Sequence, residues 1–448
     1  MTIVTASSSS LRYSVVTANR NSTNGVLQNR YGWSAFLILC IILLSTSLSL
    51  LLPKPHGVHP RGNKCHTYHF KSELTRTTEE RGATRLYLPP GTTKGRKTTT
   101  AIMKHLSIKP ATSGPPTRLH TSVPHSLPAA KETKVHPSNA PDDSTNASLF
   151  FVGTATTIIE WAGLRILTDP NFLHAGDHVH LGPGVSATRQ TNPAIDLEEL
   201  PRIDVIFLSH YHEDHFDREV EDKLTRNIPI ITTPHAHQCL TSKGDESFTN
   251  VHALDFWETL VLDIEGEGSK EKRPSIKITG VPGKHVPPGP LNAVNEFLGA
   301  VPPTNGWMIE LGYSDQTSSS DESFENGYRI YISGDTLMVD ELKEIPERYK
   351  DQNIDLMLIH LGGTTIPGPK LPLLMVTMDA KQGVQLMQLI NPDLTIPIHY
   401  DDYDVFLSPL DDFKKAVHEA GLDGKVVYLD RKDQFKFNVK EPKKLLAL

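Results

Sequence analysis

The chain has 448 residues and a formal charge of −7, unevenly placed: 18 basic against 6 acidic residues precede Leu149, and 27 against 46 run from Leu149 to the end. A segment this acidic is a poor match for a polyanion, because nucleic-acid binding draws most of its affinity from phosphate neutralisation, so no nucleic-acid partner is expected. The 3 cysteines, Cys40, Cys65 and Cys239, place one in the acidic segment, where no internal disulfide can form; this leans towards a reducing compartment.

In chain order, residues 1–33 are polar and predict a disordered N-terminus. Ser34 to Leu52 is an uncharged apolar run of about nineteen residues, long enough to cross a bilayer as a helix. A signal peptide would carry a shorter apolar region and a small-residue cleavage site, whereas Pro53-Lys54-Pro55 follows here. Basic residues flank the run on both sides, Arg12, Arg20 and Arg30 before it and Lys54, Arg61, Lys64 and Lys71 after it, so topology favours a cytosolic catalytic side only weakly. Residues 53–147 are rich in Pro, Thr, Ser, Lys and His and lack a sustained apolar period, which predicts a low-complexity, disordered linker. A translation start at Met103 would remove the apolar run and give a soluble cytoplasmic protein instead of a membrane-associated one.

From 148 to 445 strand-like runs alternate with helical ones, and this length buries a sizeable core, so a single α/β domain is predicted. Ser148–Trp161 and Gly163–Thr168 read as an opening β-hairpin with Asp169 and Pro170 at its end. Asp204–Leu208 is a short apolar strand, and directly after it stand His210, His212, Asp214 and His215, three imidazoles and a carboxylate within six residues. Imidazole nitrogen and carboxylate oxygen are the ligand set that Zn²⁺ prefers, and on a strand the pair His210/His212 points to one face. A helix starting straight after His212 would swing Asp214 and His215 towards a second ion. Further on, the strand-like Ser275–Gly280 precedes His285, Tyr328–Ser333 precedes Gly334-Asp335, and Leu394–Ile398 ends in His399. His235, His237, His252 and His360 compete with His285; of these, His360 closes the buried run Ile354–Ile359, where a packed core histidine is the default reading. Asp379–Ile390 and Leu410–Ala420 have helical period.

The stretch His210-x-His212-x-Asp214-His215, with His285, Asp335 and His399 behind it, resembles the signature of the metallo-β-lactamase superfamily. The segments Ser333–Thr336, Leu361–Gly363 and Ile396–Tyr400 look most similar to the branch that holds the N-acyl-phosphatidylethanolamine phospholipase D and the L-ascorbate-6-phosphate lactonase. The resemblance implies a four-layer αββα sandwich with metals at one edge of the two sheets. It implies two zinc ions, with iron or manganese able to take the same ligands: His210, His212 and His285 on one, Asp214, His215 and His399 on the other, and Asp335 between them. Asp169 would hold a ligating histidine from behind. It further implies hydrolysis of a phosphodiester, lactone or ester bond in a small molecule or lipid by a water shared between the ions, with Asp214 orienting it. His174, His178 and Tyr400 are candidates to line the substrate cleft. A di-iron redox enzyme, a nuclease on the same scaffold and a non-catalytic metal-binding protein are the alternative classes.

Overall fold

The computed structural model describes residues 104–110, 114–118, 122–136 and 145–441, apart from 183, 267–271, 316–323 and 369. The N-terminal stretch 1–33 and the apolar run 34–52 lie outside the described residues. Among the described residues no helix is long and apolar enough to cross a membrane.

The strands of 147–168 are buried along nearly their whole length, which requires cover on both faces. That cover comes from a second sheet on one side and helices on the other. The larger sheet has eight strands in the order Val251–Ala253, Ile230–Thr232, Val205–Leu208, Leu164–Thr168, Thr156–Trp161, Ala147–Gly153, Gln434–Phe437, Thr133–Val135. The other has seven, in the order Lys104–Ile108, Thr259–Ile264, Lys272–Pro282, Asn305–Asp315, Glu325–Ile332, Leu356–His360, Leu394–Ile398. Between them Leu149, Phe151, Ile159 and Phe207 interleave with Ile276, Ile309, Ile330 and Ile396. Each such side chain removed from water stabilises the fold by about 1.5–3 kcal/mol.

Alternate residues of the same strands point outwards under helices. Met308, Met357 and Ile359 lie under Val384 and Met387 of helix Ala380–Ile390 and Phe413 and Val417 of helix Leu410–Glu419. Phe150, Leu167 and Ile206 lie under Val220 of helix Arg218–Lys223 and Ala236 and Leu240 of helix Pro234–Thr241. The result is the αββα sandwich. Helix starts follow from local chemistry: Asp379 caps Ala380–Ile390 by accepting from Gln382 N–H, and Asp217 caps Arg218–Lys223 by accepting from Glu219 and Val220 N–H.

Strand direction is what positions a site. Leu164–Thr168, Val205–Leu208 and Ile230–Thr232 run parallel in one sheet. Glu325–Ile332, Leu356–His360 and Leu394–Ile398 run parallel in the other. Parallel strands deliver their C-terminal ends to one edge, where open α/β sheets place ligands.

The linker expectation fails where it is described. Lys104–Ile108 pairs with Leu260–Ile264, and Thr133–Val135 pairs with Gln434–Lys436, so both become edge strands of the sandwich. Their side chains are mostly exposed, and the sequence therefore carries no apolar period to announce them.

Candidate metal centre

Two of the turns that carry the site depart from ordinary backbone. Asp169 and His399 adopt φ of 35° and 60°, a left-handed conformation that costs non-glycine residues energy and recurs at functional strand ends. Between Ser333 and Asp335 only glycine fits, because Gly334 has φ 61° and a Cβ there would lie 2.3 Å from Asn305 O. The turn after His212 is not yet helical: His215 and Phe216 N–H both bond His212 O, and the helix begins at Arg218. The tight turn brings Asp214 and His215 beside Asp335 and His399.

The structure brings seven of the candidate residues into two adjoining clusters, His210/His212/His285 and Asp214/His215/Asp335/His399, with the ligand atoms of each within 4.8 Å of one another. Asp335 faces both: its Oδ1 is 3.4 Å from His215 Nε2 and its Oδ2 is 3.8 Å from His285 Nε2. Asp214 Oδ2 is 3.4 Å from His399 Nε2 and 3.8 Å from His215 Nε2, while its Oδ1 is 3.2 Å from His212 Nδ1. Apart from the half-buried His212, every member is buried.

Outer contacts fix which ring nitrogen faces inward. His285 Nδ1–H donates to Val376 O at 2.5 Å and His399 Nδ1–H to Leu361 O at 2.8 Å; a carbonyl only accepts, so the proton sits on Nδ1. His215 Nδ1 is 3.2 Å from Asp169 Oδ2, and Asp169 Oδ1 accepts Ser209 N–H at 2.7 Å, the supporting position expected of Asp169. His210 Nδ1 lies 2.9 Å from Ser209 Oγ. Thr377 Oγ1 donates to Asp335 Oδ2 at 3.0 Å.

What these contacts leave bare is telling. His210 Nε2, both nitrogens of His212, His215 Nε2, His285 Nε2, Asp214 Oδ1 and Asp335 Oδ1 are buried without hydrogen-bond partners. Each such group costs about 1–3 kcal/mol unless something satisfies it, and all belong to the two clusters. Cations at these positions would satisfy them together, so the donor set fits divalent metal ions.

The electrostatics divide the site. Burial holds His210 neutral, well below its ordinary range, with the neighbouring imidazoles of His215 and His285 adding to the effect, and it pushes His285 down to about 4. At His215 burial acts the same way but is overcome by the carboxylates of Asp335, Asp214 and Asp169, which raise it well above the usual imidazole range. His399 is raised too, burial again losing to Asp335 and Asp214. Asp214 and Asp335 stay ionised although burial opposes it, because the facing histidines outweigh desolvation.

The competitors for the third histidine are elsewhere. His235 and His237 lie on helix Pro234–Thr241, and His252 Nε2 bonds Asn250 Oδ1. The cleft candidates do not join the clusters. His174 is half exposed and pairs with Asp196, and His178 bonds Thr188 within its own hairpin. Tyr400 is buried and donates to Leu429 O, packed on the helix side of the seven-stranded sheet, so it is a core residue. The strand that delivers His399 inward must turn the next side chain away.

Sequence reading missed a buried polar network behind Asp214. Asn171 Nδ2 donates to Asp214 O at 2.9 Å and to the Tyr403 hydroxyl at 2.6 Å, and Asn171 Oδ1 accepts from Arg189 Nη1. Arg189 pairs at 3.1 Å with Asp402, which also pairs with Arg431 and accepts Thr154 N–H; Thr154 O in turn accepts His399 N–H. The network joins residues far apart in the chain, each of which is ordinary loop polarity in the sequence.

Residues 164–400 match the family model of the β-lactamase superfamily domain. The chain belongs to the metallo-β-lactamase superfamily. A UPF0173 metal-dependent hydrolase of Archaeoglobus fulgidus is 25% identical over 288 residues, 64% of this chain and 98% of that protein. A UPF0173 metal-dependent hydrolase of Cupriavidus metallidurans is 28% identical over 263 residues, 58% of this chain and 79% of its own. A possible metal-dependent hydrolase from Veillonella parvula shares the fold at a TM-score of 0.50 and 14% identity, covering 66% of this chain and 100% of its own. This superfamily membership agrees with the layer order and with the strand-end position of the clusters.

Proposed function

We propose that this chain is a metal-dependent hydrolase with two divalent cations, zinc by ligand preference, one held by His210, His212 and His285 and the other by Asp214, His215 and His399, with Asp335 shared. Bound there, the cations would acidify water towards neutrality and stabilise charge on the departing oxygen of a phosphodiester, lactone or ester. Asp214, whose Oδ1 is buried without a hydrogen bond, is placed to orient the attacking water. The Arg189–Asn171 contacts hold the backbone of Asp214, and the Thr154–Asp402 contacts hold that of His399. The relatives' names as metal-dependent hydrolases support the reaction class, and the acidity of the domain favours a small-molecule or lipid substrate over nucleic acid.

The observation that carries this reading is the convergence of orphaned nitrogen and oxygen atoms on one buried spot. Metal analysis of the purified full chain, with turnover on a panel of phosphodiesters, lactones and esters, tests it. Zinc in the wild type, together with turnover lost in His212→Ala at unchanged expression, is the expected result. Unchanged turnover in that variant on a wild-type substrate would refute it.

A further inference from the structure

His360 ends the strand Leu356–His360, is fully buried, and belongs to neither cation cluster. Its Nε2 has no hydrogen-bond partner within normal geometry, yet it lies 3.5 Å from Asp169 Oδ2, the same oxygen that stands 3.2 Å from His215 Nδ1. Its ring stacks on that of His215, with centroids 5.8 Å apart and planes at 19°. On the other side its Nδ1 is 3.3 Å from Ser333 Oγ, which also accepts His360 N–H at 2.9 Å.

We propose that His360 is a positioning residue, whose Nε2–H fixes the Asp169 carboxylate that in turn aims His215 at the cation site. The carboxylate sets this direction, because an Nε2 without its proton would face the Asp169 oxygen lone pair to lone pair. The Ser333 hydroxyl has one proton and two acceptors, Gly334 O at 2.9 Å and His360 Nδ1. Given to Nδ1, it leaves the ring neutral with its own proton on Nε2, facing a carboxylate oxygen that can accept two donors. The chain of contacts then runs Ser333, His360, Asp169, His215, from the end of the seven-stranded sheet to the eight-stranded one, and ties the two sheets together beneath the clusters.

Asp169, His215 and His360 also have the spacing of a third metal site. That occupant is disfavoured because His215 already turns Nε2 towards Asp214 and Asp335; binding a second cation through Nδ1 would require the ring to lose both protons. A proton on His360 Nε2 satisfies the same atoms without that demand.

The proposal rests on the metal-site reading above. Full-length wild type, His360→Leu and His360→Gln would be compared by zinc competition against a chromophoric chelator, with thermal unfolding of the metal-free proteins as a control for folding. Leucine removes the donor, and zinc affinity on the Asp214, His215 and His399 side should fall about 10–100-fold; glutamine restores an N–H near Nε2 and should stay within about threefold of wild type. A folded His360→Leu protein with wild-type affinity, or a His360→Gln protein as weak as leucine, would overturn the proposal. Should leucine prevent folding, the wild-type ring decides: long-range proton–nitrogen correlation should show His360 protonated on Nε2, and a ring without that proton rejects the idea. Absence of zinc binding in the wild type would instead sink the metal-site reading, and the tautomer would still test His360.

Discussion

The His210/His212/His285 side of the site and the Asp214/His215/His399 side lie against each other, yet burial has opposite outcomes on them. On the first, the three members are all imidazoles, and desolvation keeps His210 and His285 neutral. On the second, buried carboxylates outweigh desolvation and draw protons onto His215 and His399. The same low-dielectric surroundings therefore prepare one side as a neutral lone-pair donor and the other as an anionic hole that takes a cation or a proton. Asp335, facing both, makes the pair a single electrostatic unit.

The largest expected effect is removal of that shared group. Asp335→Ala should lower kcat/KM by about a thousandfold, several kcal/mol of charge stabilisation, and reduce metal content on both sides, not one. Mass spectrometry of the native protein reads the content, and loss confined to one side would break the comparison.

An intermediate effect is expected from pH. Where a histidine's pKa is raised, protons compete with metal as soon as pH falls through that value; where it is lowered to about 4, as at His285, competition begins only near there. Acidification from neutrality should therefore release the cation beside Asp214, His215 and His399 first, with the other held to lower pH. Metal content after dialysis at stepped pH checks the order, and simultaneous release would contradict it.

The smallest effect should come from the edge strands. Lys104–Ile108 and Thr133–Val135 sit at the sheet edges remote from the clusters. A chain begun at Leu149 should lose stability, roughly 2–4 °C in Tm for each kcal/mol of pairing lost, and keep its metal content, whereas a chain begun at Met103 should keep both. Thermal melts with metal analysis separate the outcomes; metal loss on truncation at Leu149 would tie the edges to the site.

How much of this was legible in the sequence follows from how local each feature is. His210, His212, Asp214 and His215 share six residues and a preceding strand, so spacing alone marks them. Asp335 and His399 end apolar runs, and the parallel order of those runs carries them to one edge. His360 has the same strand-end signature, but its relation to Asp169 spans the two sheets, which no local pattern encodes. Tyr400 was misread because adjacency to His399 in sequence places it on the opposite side of the sheet. The two edge strands were invisible because backbone pairing, not burial, holds them. Asp402 sits in a polar loop just after the last strand-end histidine, and the charges that pair with it, Arg189 and Arg431, come from distant segments.

Anomalous diffraction from crystals of the full chain grown with zinc tests the central claim most directly. Two peaks are predicted, one on the His210, His212 and His285 nitrogens and one on Asp214, His215 and His399, with the Asp335 carboxylate reaching both. A single peak, or a second one bound away from Asp335, would contradict it.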